Sequence, residues 1–122
     1  MHFDGYRRGI ELFNQRKFFD AHEVWEDVWR ETIGPRKKFL QGLIQVAVAF
    51  HHHSTGNVVG ACSLMERGRR NLEKYPEHFL GIRVEELRAA LVRCRARMLS
   101  DGSLPEFPKI DVPTSAQEMS LP

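Results

Sequence analysis

Charge of one sign, long apolar runs and cysteine are all scarce in this sequence, and each scarcity removes a class of function. Eighteen Lys and Arg stand against sixteen Asp and Glu, a formal charge of +2. That balance gives no bulk attraction toward nucleic acid or an anionic membrane. The longest purely apolar run, "VAVAF", sits in "FLQGLIQVAVAF", where two glutamines and a glycine interrupt the stretch. Such a segment reads as a buried helix and not as a membrane span. The opening "MHFDGYRRGIELF" has no apolar h-region and does not read as a secretory signal. Only two cysteines occur, Cys62 and Cys94, with no short-spaced framework. They read as small core residues of a reducing compartment, which places the protein in the cytoplasm. Strand-like alternation is missing too, and "GNVVGA" follows a helix and not a strand, so it is no phosphate-cradling loop.

What is present is helical periodicity, in a chain of 122 residues with 42% hydrophobic and 28% charged residues. That size and composition fit one ordinary soluble globular domain. The expected fold is all-α. A first helix runs from about Asp4 to Arg16, with Tyr6, Ile10 and Phe13 on one face, and a second from about Phe19 to Thr32, where Asp20 suits the positive helix start or a cap. Gly34 suits a stop and Pro35 the first position of a third helix, about Pro35 to His53. That helix is apolar nearly all round and is expected to be the central one. A fourth spans about Asn57 to Tyr75 and a fifth about Val84 to Leu99, with a stripe of Val84, Leu87, Leu91, Cys94 and Met98. Residues 1–100 are thus expected to form one helical bundle, and 101–122 a Pro-rich extended tail with Phe107, Ile110 and Val112 lying on it.

The chain repeats itself weakly at an offset of 40 residues. "KFFDAHEVWEDVWR" lies over "NVVGACSLMERGRR", so that Ala21 meets Ala61, Trp25 meets Met65, Glu26 meets Glu66 and Arg30 meets Arg70. A period of this size belongs to helical-hairpin arrays of the tetratricopeptide type. Two hairpins are few for an array, so the fifth helix is expected to close the core.

Polar residues on the second and third helices do not fit a plain apolar bundle. On a wheel at 100° per residue, Ala21, Val24, Trp25, Val28, Trp29 and Thr32 form the apolar arc. His22 falls at its edge and Glu26 just beyond, while Glu23 points away. His22 and Glu26 are four apart and can hydrogen-bond. On the third helix Gln41, Gln45 and His52 form the one polar strip. With antiparallel packing, that strip faces the His22/Glu26 edge across a small pocket walled by Trp29 and Phe19. The candidate ligand-binding residues are therefore His22, Glu23, Glu26, Trp29, Gln41, Gln45 and His52.

Three chemistries suit such a cluster. A metal would take His22, Glu26 and His52 as ligands, but "HEVWE" lacks the second histidine of H-E-x-x-H, and no Glu-x-x-His pair marks a di-iron bundle. His51, His52 and His53 diverge by 100° each on a helix and do not easily chelate one ion together. A His/Glu general base is the second reading, although no nucleophile accompanies it and no catalytic residue is assigned. The third, and the plainest, is a hydrogen-bonded network that fixes the register of two helices; the expected function is a binding or scaffold module whose cluster holds the helices and a small polar ligand or ion. Trp25 and Trp29 are then core, and Gly60 and Gly68 let helices approach. No cofactor is assigned, and a homodimer is left open. Arg67, Arg69, Arg70, Arg93, Arg95 and Arg97 offer a basic face for RNA or another polyanion. Glu66, Glu73, Glu85 and Glu86 offset it and no aromatic residues interleave, so a solvated face is favoured.

Taken in order, "LFNQRKFFDAHEVWEDVWR", "KFLQGLIQVAVAFHH" and "GNVVGACSLMERG" resemble the small all-helical prokaryotic family known as domain of unknown function 309. The resemblance runs from about Ile10 to Leu72. Its family-like positions are His22, Glu23, Trp25, Glu26, Trp29, Gln41, Gly42, Gln45, Gly56, Asn57 and Ala61. It implies a helical bundle, and carries no activity, cofactor or partner with it.

Overall fold

The expected periodicity is realised as five helices in the computed structural model, which describes residues 1–114. They are α1 (Phe3–Asn14), α2 (Phe18–Glu31), α3 (Pro35–Ser54), α4 (Val58–Glu73) and α5 (Val84–Asp101). Local chemistry sets their ends. Arg16 takes a left-handed φ of 64° and turns the chain back, so α1 stops earlier than its apolar pattern suggests. Gly34, at φ 74°, precedes Pro35 at the start of α3, the arrangement a Gly stop and a Pro first position favour. Asn57 caps α4 by accepting from the Gly60 amide at 2.9 Å. A Cβ on Gly60 would run into that Asn57 side chain, so this glycine makes room for the cap and not for a neighbouring helix. Asp20 makes no cap either; it stands in the first turn of α2, where its charge suits the helix dipole. Gly102, left-handed at φ 77°, ends α5.

One element escapes the periodicity. Between α4 and α5, β1 (His78–Phe79) pairs antiparallel with β2 (Ile82–Arg83). Leu80 and Gly81 both take positive φ, 50° and 78°, as a tight two-residue hairpin turn requires. Leu80 and Ile82 are buried, and the Tyr6 hydroxyl donates to the Leu80 carbonyl at 2.8 Å. Burial pushes the Tyr6 phenol well above its usual range, so it holds the hairpin as a neutral donor.

Successive helices pack on one another, giving two hairpins, α1–α2 and α3–α4, closed by α5. The repeat is visible in the packing: Ala21 and Ala61 are both fully buried, as are Trp25 and Met65. The first hairpin sets a large residue on a small one. A Cβ on Gly9 would fall inside the Trp25 indole, whose Nε1 donates to the Tyr6 carbonyl at 3.0 Å. The second is a close approach of backbones, because a Cβ on Gly68 would stand 2.7 Å from Val46 Cγ2 and 3.1 Å from the Gly42 carbonyl oxygen. As expected, α3 is the central helix, contributing Phe39, Leu40, Leu43, Val46, Ala47 and Phe50 to the core. Cys62 and Cys94 are buried free thiols. Among the described residues no helix is long and apolar enough to cross a membrane.

Beyond α5 the chain runs back over the bundle. Phe107 lies against the rings of Phe18 and Phe50, at 5.5 and 5.4 Å between centroids. Ile110 is buried and Val112 packs against the core. The rest of the expected tail, residues 115–122, lies outside the described residues.

Candidate functional site

His22 and Glu26 meet as their spacing on α2 predicts. His22 Nε2 stands 3.4 Å from Glu26 Oε2, with the side chains 19% and 41% exposed. His22 Nδ1 lies 3.3 Å from the Phe19 carbonyl oxygen, so both ring nitrogens face oxygen and a neutral ring donates to one of them only. Phe19 is 48% exposed. Its ring is flanked by His22 at 5.4 Å and by His51, from the end of α3, at 5.2 Å. The result is an aromatic and imidazole surface edged by a carboxylate. Glu23 and Asp20 are exposed on the same helix and make no ion pair among the described residues. Arg30 reaches Asp27 at 2.6 Å and leaves Glu26 to His22.

The polar strip of α3 goes elsewhere. Gln45 Oε1 accepts from Asn71 Nδ2 of α4 at 2.6 Å, and Gln41, one turn earlier, is half-buried on the same face. The glycine contact between Gly42 and Gly68 draws α4 onto this side of α3, so the Gln45 amide joins α3 to α4 and not α2 to α3. His52 turns to Asn57, with 3.4 Å between Nδ1 and Nδ2, while His53 Nε2 meets the Gly102 carbonyl at 2.9 Å. The expected single cluster is therefore two: His22, Glu26, Phe19 and His51 at the surface, and Gln45 with Asn71 between helices. His51 was concealed by its two neighbours in sequence; the helical divergence of the three rings, itself legible, is what sends one of them to Phe19. For Asn71 no local signal exists.

Trp29 is half-buried, with Lys37 Nζ 4.1 Å from its ring centroid. Its buried Nε1 has no hydrogen-bond partner among the described residues. Trp29 lies seven residues, about two turns, from His22 along α2 and three residues from Glu26.

The chemistry open to the site is narrowed by its surroundings. Among the described residues no three His, Cys, Asp or Glu side chains converge to hold a metal ion. The His22, Glu26 and His52 set is not assembled, because the ring facing Phe19 is that of His51. Burial pushes the Cys94 thiol up, the opposite of an activated nucleophile. The arginines of α4 and α5 are mostly engaged: Arg69 binds Glu66 at 2.6 and 3.0 Å, Arg70 lies 3.4 Å from Glu66, Arg97 lies 3.5 Å from Asp101, and Arg88 donates to the Leu72 and Tyr75 carbonyls.

Comparison with known proteins adds relatives and no activity. The chain is 38% identical over 65 residues to "Uncharacterized protein YpuF" of Bacillus subtilis (strain 168), an alignment that covers 52% of this chain and 37% of that protein. It is 34% identical over 83 residues to an "Uncharacterized protein" of Aquifex aeolicus (strain VF5), covering 65% of this chain and 24% of that one. The chain thus spans little more than a third of one relative and about a quarter of the other. The family described as "Domain of unknown function (DUF309)" matches residues 6–64, which hold most of α1, all of α2 and α3, the Phe19–His22–Glu26–His51 surface and the first part of α4. The similarity to the DUF309 family thus covers 59 of the 122 residues of this chain.

Proposed function

We propose that this domain is a binding module of the cytoplasm, and that the surface of Phe19, His22, Glu26 and His51 is where it takes a small polar ligand bearing a cationic group. The observation that carries this reading is the half-exposed Phe19 ring standing between two imidazoles. An exposed aromatic ring flanked by imidazoles, one of them paired with a carboxylate, can seat a cation over its face. Glu26, paired with His22, adds the matching charge at the rim. Two further facts support a module. Both relatives carry the matching segment within a longer chain, as a reusable unit does. Two free, buried cysteines suit a reducing compartment.

The same His22–Glu26 contact, at 3.4 Å, also suits a general base, and one experiment separates the readings. Native mass spectrometry of the full chain, purified without chelator, is expected to show an adduct of one small molecule that is absent from His22→Ala. A bare polypeptide mass in the unsubstituted chain would overturn the binding reading. An adduct that Glu26→Gln retains and no longer converts would make the pair catalytic.

A further inference from the structure

The segment after α5 is attached to the bundle in the manner of a bound peptide. It forms neither helix nor strand between residues 104 and 113, and prolines at 105, 108 and 113 favour an extended backbone of low conformational entropy. A side chain grips its backbone: Asn14 Nδ2 donates to the Ile110 carbonyl at 2.8 Å, and the Ile110 amide donates to Asn14 Oδ1 at 2.8 Å. This paired contact reads main chain only and is indifferent to the residue it holds. Specificity comes from either side of it. Phe107 enters an aromatic slot made by Phe18 and Phe50, with the Arg16 guanidinium 4.3 Å from its ring centroid. Asp111 is held by Arg83 through two hydrogen bonds, of 2.8 and 3.0 Å.

Asn14, Arg16, Phe18 and Phe50 fall within the family match at residues 6–64, whereas Arg83 and the segment they hold fall outside it. On its other side the segment borders α5 across two open surface grooves, of ≈ 350 Å³ beside residues 108–111 and ≈ 250 Å³ beside residues 105–108, and Arg83 lines the first of them.

We infer that Asn14, Arg16, Phe18, Phe50 and Arg83 form a peptide-binding site, filled in cis by the chain's own Phe107–Asp111 and open in trans to an extended partner segment of the pattern Phe-x-x-Ile-Asp. The partner supplies an aromatic ring, an extended backbone and an aliphatic residue followed directly by a carboxylate. The chain's own segment competes with it through its high effective concentration. This site is separate from the Phe19 surface and stands or falls without it.

The test uses the full chain carrying Phe107→Ala and Asp111→Ala, which loosen the segment and leave the site intact. A fluorescent peptide of sequence SLPEFPKIDVPT, titrated by anisotropy, is expected to bind this variant at least roughly tenfold more tightly than the unsubstituted chain, because the cis competitor is weakened. Adding Arg83→Ala or Asn14→Ala, or replacing the peptide's phenylalanine by alanine, is expected to remove the gain. A helical variant that does not bind the peptide would show that the segment is plain core. Equal binding to both chains would place the peptide elsewhere; either result overturns the inference. Should the double variant not fold, a protease site inserted between Gly102 and Ser103 allows the segment to be cut in place. The cut segment is then expected to exchange for labelled peptide, and its failure to exchange, or unfolding on cleavage, would equally overturn the proposal.

Discussion

Glu26 and Glu66 occupy equivalent places in the two hairpins, and their surroundings differ completely. Glu66 is enclosed by charge: Arg69 donates to both of its oxygens at 2.6 and 3.0 Å, Arg70 stands at 3.4 Å, and its side chain is 21% exposed. The Arg69 hydrogen bonds hold its carboxyl down at about 2, against an ordinary value of 4.5. Glu26, 41% exposed, has His22 at 3.4 Å, and Arg30, the counterpart of Arg70, has turned to Asp27 instead. One carboxylate has its acceptor capacity used by structure, and the other keeps capacity for a ligand. Repetition supplied the same residue twice, and a neighbouring residue decided its role. Position 69 of the second hairpin is arginine, whereas its counterpart in the first is Trp29.

The buried members of the repeat set the scale for this contrast. Trp25→Ala and Met65→Ala both empty fully buried sites and are expected to be the largest effects, about 3–5 and about 2–5 kcal/mol respectively. Trp25 adds the loss of a bond to the Tyr6 carbonyl and a void beside Gly9. Urea unfolding followed by circular dichroism reads both. A Met65→Ala loss clearly exceeding that of Trp25→Ala would mean that the first hairpin is the weaker one, and would undo the idea that its large-on-small packing anchors the fold.

Glu66→Gln comes next. Its side chain is mostly shielded yet near the surface, so the Arg69 pair is expected to contribute about 1–2 kcal/mol at neutral pH after solvent screening. The folded carboxyl lies below its unfolded value, so this stability is fully present above the unfolded value and lost as pH falls through the folded one. The gap between unsubstituted and Gln chains is therefore expected to close between 4.5 and about 2. Denaturation midpoints along that range check it. A gap independent of pH would show that the pair stabilises through shape and not charge.

The difference between the two carboxylates also marks how far the sequence could be read. The i, i+4 spacing gave His22 with Glu26, the 40-residue offset gave the equivalence of Trp25 and Met65, and the 100° step gave the divergence of three histidines, because each depends only on helix geometry. The destination of the Gln45 amide depended on which helix packs there. That rested on glycines at 42 and 68 meeting across a hairpin, and a wheel drawn for α2 and α3 alone has no place for α4. The His78–Arg83 hairpin is too short for alternation to register, and its signal lies in the turn at Leu80–Gly81. The grip of Asn14 on Ile110 links residues 96 positions apart, beyond any local pattern. Phe107 and Ile110 could be expected to lie on the bundle as apolar residues of the tail, but not the paired amide contact between them and α1.

The smallest expected effect on stability is the one that tests function. Glu26→Gln keeps the size and acceptor oxygen of the side chain, removes one exposed charge, and disturbs a contact with a histidine that the Phe19 carbonyl also positions. Its cost is expected to stay within about 0.5 kcal/mol, as for other surface pairs. A cationic ligand on the Phe19 surface would nonetheless lose its nearest formal counter-charge, and weakening of about tenfold or more is expected, since hydrogen bonds to charged groups contribute about 1.5–3 kcal/mol. The pairing of unchanged melting with lost ligand, read by thermal unfolding and by native mass spectrometry on one sample, is what distinguishes Glu26 from Glu66. If Glu26→Gln instead melts as low as Glu66→Gln and keeps its ligand, the two carboxylates are alike after all. The first hairpin then carries a structural pair with no site beside it.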